Sequence, residues 1–221
     1  MTWMAALLAL TTLASAEEDN PKWGGFGHAT QGFMLGDVSG VGDELENIAD
    51  GTAPGAALLL GGGGRMVLGG AVVLGGGGHG RFGIPTEGEL ASVASYGGGG
   101  QLDIGILLYN RQRSLLYPFA GVAMGGTDLV VANHADQIMA VGNQALQPGA
   151  RTELSGGYMN VELGAGITRL FFGDDTQGGM ILDLQMAVWI PASNMSLGAG
   201  LSGAPSGMLF RMNFGGGGFF Y

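Results

Sequence analysis

The chain has 221 residues, of which 46% are hydrophobic and only 12% charged, and a formal net charge of −10. Soluble domains carry about 25% charged residues; this chain is therefore short of the side chains that normally cover a water-facing surface. The acidic balance and a single lysine, Lys22, argue against nucleic acid or anionic headgroups as partners. The lack of cysteine excludes disulfides, thiolate metal sites and a lipoprotein-type anchor.

Residues Met1 to Ala16 read as a signal peptide: Met4–Leu13 is an apolar core, and Ala14-Ser15-Ala16 is a small-x-small cleavage site. The segment before the core has no Lys or Arg, a departure that leaves a buried N-terminal helix as the alternative. Residues 17–221 then form one domain, opening on Glu17-Glu18-Asp19. No run of about 20 apolar residues follows, so any crossing of a membrane would have to be made by strands.

Eight strands are expected, at about 24–38, 55–67, 72–82, 92–109, 114–130, 152–171, 178–190 and 207–221. In the fourth, Leu102, Ile104, Ile106 and Leu108 alternate with Gln101, Asp103, Gly105 and Leu107. In the sixth, Met159, Val161, Leu163, Ala165 and Ile167 alternate with Tyr158, Asn160, Glu162 and Thr168. The seventh sets Met180, Leu182, Leu184, Met186, Val188 and Ile190 against Asp183 and Gln185. The eighth sets Met208, Phe210, Met212 and Phe214 against Leu209, Arg211 and Asn213. A period of two with one apolar and one polar face marks strands. Short turns at Gly69-Gly70, Asn110–Ser114 and Gly173–Gln177 alternate with longer connections at about 39–54, 83–91, 131–151 and 191–206. That alternation predicts an all-β, up-and-down antiparallel β-barrel of about eight strands, with tight turns at one end and loops at the other. In a membrane barrel the apolar faces point to lipid; in a soluble sandwich they point inward. Low charge and strand length favour lipid.

Four Gly-Gly-Gly-Gly tracts occur, at 61–64, 75–78, 97–100 and 215–218. A two-residue hairpin at Gly69-Gly70 would pair Leu68 with Ala71, Gly64 with Gly75 and Gly61 with Gly78. The tracts 97–100 and Gly125-Gly126 would extend this belt, formed first by Gly61, Gly62, Gly63, Gly64, Gly75, Gly76, Gly77 and Gly78. Glycine weakens a strand, so the belt needs a purpose. One reading is sharp bending around large inner side chains. Another is close approach of a second chain or of a loop segment, the candidates being 43–50 and Asp136–Leu146, both expected as short helices. A third is a flexible low-complexity tract.

The chain ends Phe219-Phe220-Tyr221 on its last strand. This resembles the terminal aromatic signal of bacterial outer-membrane β-barrels, and the resemblance covers architecture and these last residues only. It implies outer-membrane location, outer-membrane lipid as surroundings, and an insertion machinery that reads the C-terminal strand. Here Gly215 and Gly217 stand where that signal carries apolar residues, and strict alternation puts Tyr221 on the polar face. A β-bulge within 215–218 would return it to the apolar face.

No Gly-Lys-Ser/Thr phosphate loop, HExxH or G-x-S-x-G motif is present. The three histidines, His28, His79 and His134, are far apart in sequence, and no metal or cofactor is expected. The acidic loop residues Asp43, Glu44, Glu46 and Asp50 read as a solvated loop, and Asp174-Asp175 as a turn pair. The polar faces carry Asp103, Glu162, Asp183, Gln185, Arg211 and Asn213, expected to form an interior network with Asp183 paired to Arg211. No catalytic residue is assigned. The resulting expectation is a non-catalytic barrel with a structural or loop-mediated binding role and a protein partner at the long loops. The alternatives are a secreted soluble Gly-rich protein that binds or self-associates through its glycine belt, and a narrow channel or membrane enzyme.

Overall fold

The computed structural model describes residues 22–36, 38–39, 55–111, 113–171, 178–193 and 195–220. The expected leader 1–16, the acidic loop 43–50, Asp174-Asp175 and Tyr221 lie outside the described residues. Eight long strands make the wall: β1 Trp23–Leu35, β2 Ala56–Leu68, β3 Val72–Gly83, β4 Ala91–Ile106, β5 Ser114–Asn133, β6 Arg151–Phe171, β7 Gly179–Ser193 and β8 Gly207–Phe220. Each is antiparallel to its sequence neighbour, and β8 pairs with β1 from Trp23↔Phe220 to Leu35↔Met208. The sheet is a closed up-and-down barrel, and no helix occurs among the described residues.

The period-two alternation fixes which way each side chain points. On β7, Met180, Leu184, Met186, Val188 and Ile190 are 40–59% exposed, whereas Asp183 and Gln185 are 0% and 5% exposed. The other strands repeat this arrangement, with Leu58, Leu60 and Met66 outside and Arg65 inside β2. Aromatic residues stand near both rims: Trp23, Phe171 and Phe220 at the turn end, Phe82 and Tyr96 toward the loop end. An apolar outside bounded by aromatic girdles, around a polar inside, is the distribution of a membrane-spanning barrel. A soluble sandwich would bury these apolar faces.

The first turn differs from expectation. Leu68 pairs with Val72, Gly64 with Gly76 and Gly62 with Gly78, so the loop is Gly69-Gly70-Ala71 and the register moves by one residue. Gly69 and Gly70 have φ of +59° and +67°, and Ala71 N–H donates to Leu68 O. The reason is parity. Leu58, Leu60 and Met66 point outward from even positions on β2, as do Leu74 and Phe82 on β3. A two-residue loop would pair even with odd and turn one strand inside out.

Two further expectations fail. Residues Asp136–Leu146 do not form a helix: Met139–Val141 pairs with Gln144–Leu146 as a hairpin turning at Gly142-Asn143. It packs at the barrel mouth, away from the glycine tracts, because Met139, Val141 and Leu146 find a ready apolar surface there. No bulge interrupts 215–218; alternation continues and places Phe219 inside and Phe220 outside.

The glycine tracts lie side by side across the wall. Gly216, Gly27, Gly64 and Gly76 form one row, and Gly62, Gly78 and Gly100 the next. Inward and outward members differ. A Cβ built on inward Gly61, Gly63, Gly99, Gly125 or Gly215 would lie under 3.0 Å from backbone of the paired strand. On outward Gly78, Gly100 or Gly216 the nearest atom is 3.4–3.7 Å away. The inward glycines therefore permit the tight curvature; most outward ones have room, but a Cβ on Gly62 or Gly98 would also lie 2.9 Å from the His28 or His79 carbonyl oxygen, respectively. Gly63→Ala should lower stability in lipid by about 2 kcal/mol, the scale of overpacking, while Gly100→Ala should change it by less than about 0.5 kcal/mol. Urea unfolding of the two variants in vesicles checks this.

Candidate functional site

The lumen is filled in layers. At the turn end Val67, Val73, Leu107, Leu115, Leu170, Ile181 and Phe219 are buried together. Above them lies a polar layer whose members come from seven strands. Asp183 on β7 is its hub. It accepts hydrogen bonds from Tyr117 Oη (2.7 Å), Thr168 Oγ1 (2.9 Å), Gln185 Nε2 (2.5 Å) and Asn213 Nδ2 (2.8 Å), with Arg65 Nε 3.5 Å away. Arg65 also makes a two-pronged contact with Asp103, Nη1 to Oδ1 at 2.6 Å and Nη2 to Oδ2 at 3.0 Å. Its guanidinium lies 5.2 Å from the centre of the Tyr117 ring and 5.4 Å from that of Phe119.

A second centre forms around Glu162, which accepts from Trp189 Nε1 at 2.8 Å and from Arg211 Nη2. Arg211 also donates to Gln185 Oε1 at 3.3 Å. Asp183 and Arg211, expected as a pair, are thus joined through Gln185, and each has other partners. The register explains this: Asp183 faces Asn213 across the ladder, and Gln185 faces Arg211. Thr30 adds β1 by donating to Asn213 Oδ1 at 2.7 Å. All six residues singled out in the sequence belong to this layer, together with Arg65, Tyr117, Thr168, Trp189 and Thr30, which were not.

Glycine makes room for these contacts. A Cβ on Gly75 would lie 2.6 Å from both Arg65 Nη1 and Asp103 Oδ1; one on Gly166 would lie 2.5 Å from the Tyr117 ring. Further toward the loops, His79 stacks obliquely on Trp189 with ring centres 5.3 Å apart, and Tyr158 Oη lies 3.3 Å from His79 Nε2. Arg81 donates to Thr127 Oγ1. The cavity left among His28, His79, Gln101, Trp189 and Arg211 holds about one water molecule.

At the loop end a second apolar cluster lies against the inner wall. Ala91 and Val93 of β4, Leu129 and Val131 of β5 and Leu154 of β6 enclose Met139, Val141 and Leu146 of the hairpin. Leu197 and Leu201, from the paired segments Met195–Gly198 and Leu201–Pro205, complete it. Asn133 fastens the hairpin, donating from Nδ2 to the Gln137 and Leu146 carbonyls, both at 2.9 Å. The hairpin tip is tied by Asn143 N–H to Ala199 O at 2.7 Å.

The chemistry follows from the bonding. Among the described residues the buried charged ones are Arg65, Arg81 and Arg211 against Asp103, Glu162 and Asp183, three of each sign. Every one of these carboxylates already accepts from side-chain donors. Such a layer holds strands together across the lumen. No group of three His, Asp or Glu suited to a metal occurs among the described residues. Because a buried charge left alone costs about 3–5 kcal/mol, Asp103→Leu should destabilise the barrel by that amount. The double variant Arg65→Met/Asp103→Leu should recover at least half of the loss, as read by unfolding in lipid.

No protein-family model and no curated protein matches the chain. Among solved structures it is similar to Ail, the attachment invasion locus protein of Yersinia pestis, at 8% identity, covering 90% of this chain and 99% of that one with a TM-score of 0.48. It is also similar to the N-terminal β-barrel domain of OprF from Pseudomonas aeruginosa, at 9% identity, with 90% and 99% covered and a TM-score of 0.42. A third is the outer membrane protease OmpT of Escherichia coli, at 9% identity, with 94% and 100% covered and a TM-score of 0.41.

Proposed function

We propose that this barrel is a non-catalytic, non-conducting anchor of the bacterial outer membrane that works through its loop-side end. The observation that carries this reading is the filled lumen. A hydrogen-bonded interior with three arginines and three carboxylates lies between apolar clusters at either end, and a solute path through it would have to break buried ion pairs. The apolar outside supports lipid as its surroundings. Insertion through the C-terminal strand is part of the same reading, since β8 is the strand that closes the wall against β1.

What remains for contact with a partner is the loop side. There the hairpin at Met139–Leu146 and the segments at Met195–Pro205 are held as folded structure, with exposed side chains such as Ile138 at 60%. A preformed surface loses less conformational entropy on binding than a free loop.

In planar bilayers the purified barrel should give no discrete conductance steps, and steady single-channel openings would sink the anchor reading. An epitope inserted at Gln147–Gly149 should be reached by antibody on intact cells while the barrel still shows its folded, heat-sensitive gel mobility. Labelling only after the outer membrane is broken would reverse the assigned orientation.

A further inference from the structure

Among the described residues, Gln31 is the one polar side chain set within the apolar outside of the wall where the rows on every side are apolar. It points outward from β1 and is exposed. Its ladder partners are Leu60 and Met212, themselves 52% and 37% exposed. Exposed Phe33 and Leu35 continue the apolar surface toward the loops, and Trp23 marks the opposite rim. The Gln31 amide has no hydrogen-bond partner among the described residues. Hydrocarbon offers it neither donor nor acceptor, so an amide there carries an unmet desolvation cost.

We infer that this face of the barrel pairs with a second copy of the chain, the two Gln31 amides hydrogen-bonding to each other across a twofold axis. A carboxamide has both a donor and an acceptor, so two identical amides related by a twofold satisfy each other, as an isologous contact requires. An acyl chain cannot do this. The surroundings allow the approach on one flank: on the turn side of Gln31, β1 carries Ala29 and Gly27 and β2 carries Gly62 and Gly64, while on β8 Phe214 stands beside Ala29. On the loop side Phe33 and Phe210 stack at 4.9 Å and form a firm apolar edge. Small residues beside a polar one are the combination that joins protein segments in lipid.

The inference rests on the lipid-facing reading of the wall, and the test separates the two. The chain, which has no cysteine of its own, is folded into phosphatidylcholine vesicles as Gln31→Cys and, for comparison, as Leu102→Cys on β4 of the far wall. Flotation with the vesicles is measured first. Oxidation should then give a disulfide-linked dimer from Gln31→Cys and little from Leu102→Cys. In energy-transfer dilution with wild-type side chains, Gln31→Leu should associate about tenfold more weakly. A protein that does not float overturns both the membrane reading and the pairing. A protein that floats but stays monomeric, crosslinks equally at both positions, or associates unchanged as Gln31→Leu overturns the pairing alone.

Discussion

A β-sheet placed in hydrocarbon must close on itself, because an open edge would leave a row of backbone groups with no partner. Everything distinctive in this molecule descends from that requirement. Closure with eight strands makes a lumen just wide enough for side chains. It also forces strong curvature, which here is met by inward glycines that let neighbouring backbones approach under the bend. The space those glycines leave is taken by long side chains reaching across from the opposite wall. Trp189 on β7 meets His79 on β3, and Arg65 on β2 meets both Asp183 and the Tyr117 ring.

Filling the lumen with charge is tolerable only if the charges balance and every donor finds an acceptor. The buried interior carries three arginines against three carboxylates, and its hub carboxylate accepts four hydrogen bonds, although Arg65 Nε and Arg81 Nε are left without one. The charged groups of this layer are buried, which strengthens the pairs and makes each one harder to break. The interior thus fastens strand to strand across the lumen.

Strand number, topology and boundaries within a few residues were legible because alternation and turn spacing are local signals. So was the polar face of β7 and β8, where Asp183, Gln185, Arg211 and Asn213 fall on one parity. The partners across the lumen were not, because a ladder specifies neighbours on the wall and says nothing of what meets through the centre. Arg65 and Arg81 were findable: each closes a glycine-rich run on the inward parity, opposite Met66 and Phe82. The same parity would have shown that the first turn needs an odd number of residues. The hairpin at Met139–Leu146 was missed because its short strands are stabilised by the mouth they cover, not by their own periodicity.

The glycine tracts also bear on the chain before it folds. Apolar Ala56–Leu60 runs straight into Gly61–Gly64, Ala71–Leu74 into Gly75–Gly78, and Phe214 into Gly215–Gly218. Segments of six or seven residues with high β-propensity and no interruption are those that stack between molecules into fibrils. Glycine ends each of these apolar runs before it reaches that length. The same residues that shape the finished wall therefore also keep the unfolded polypeptide from sticking to other copies while it is still in water.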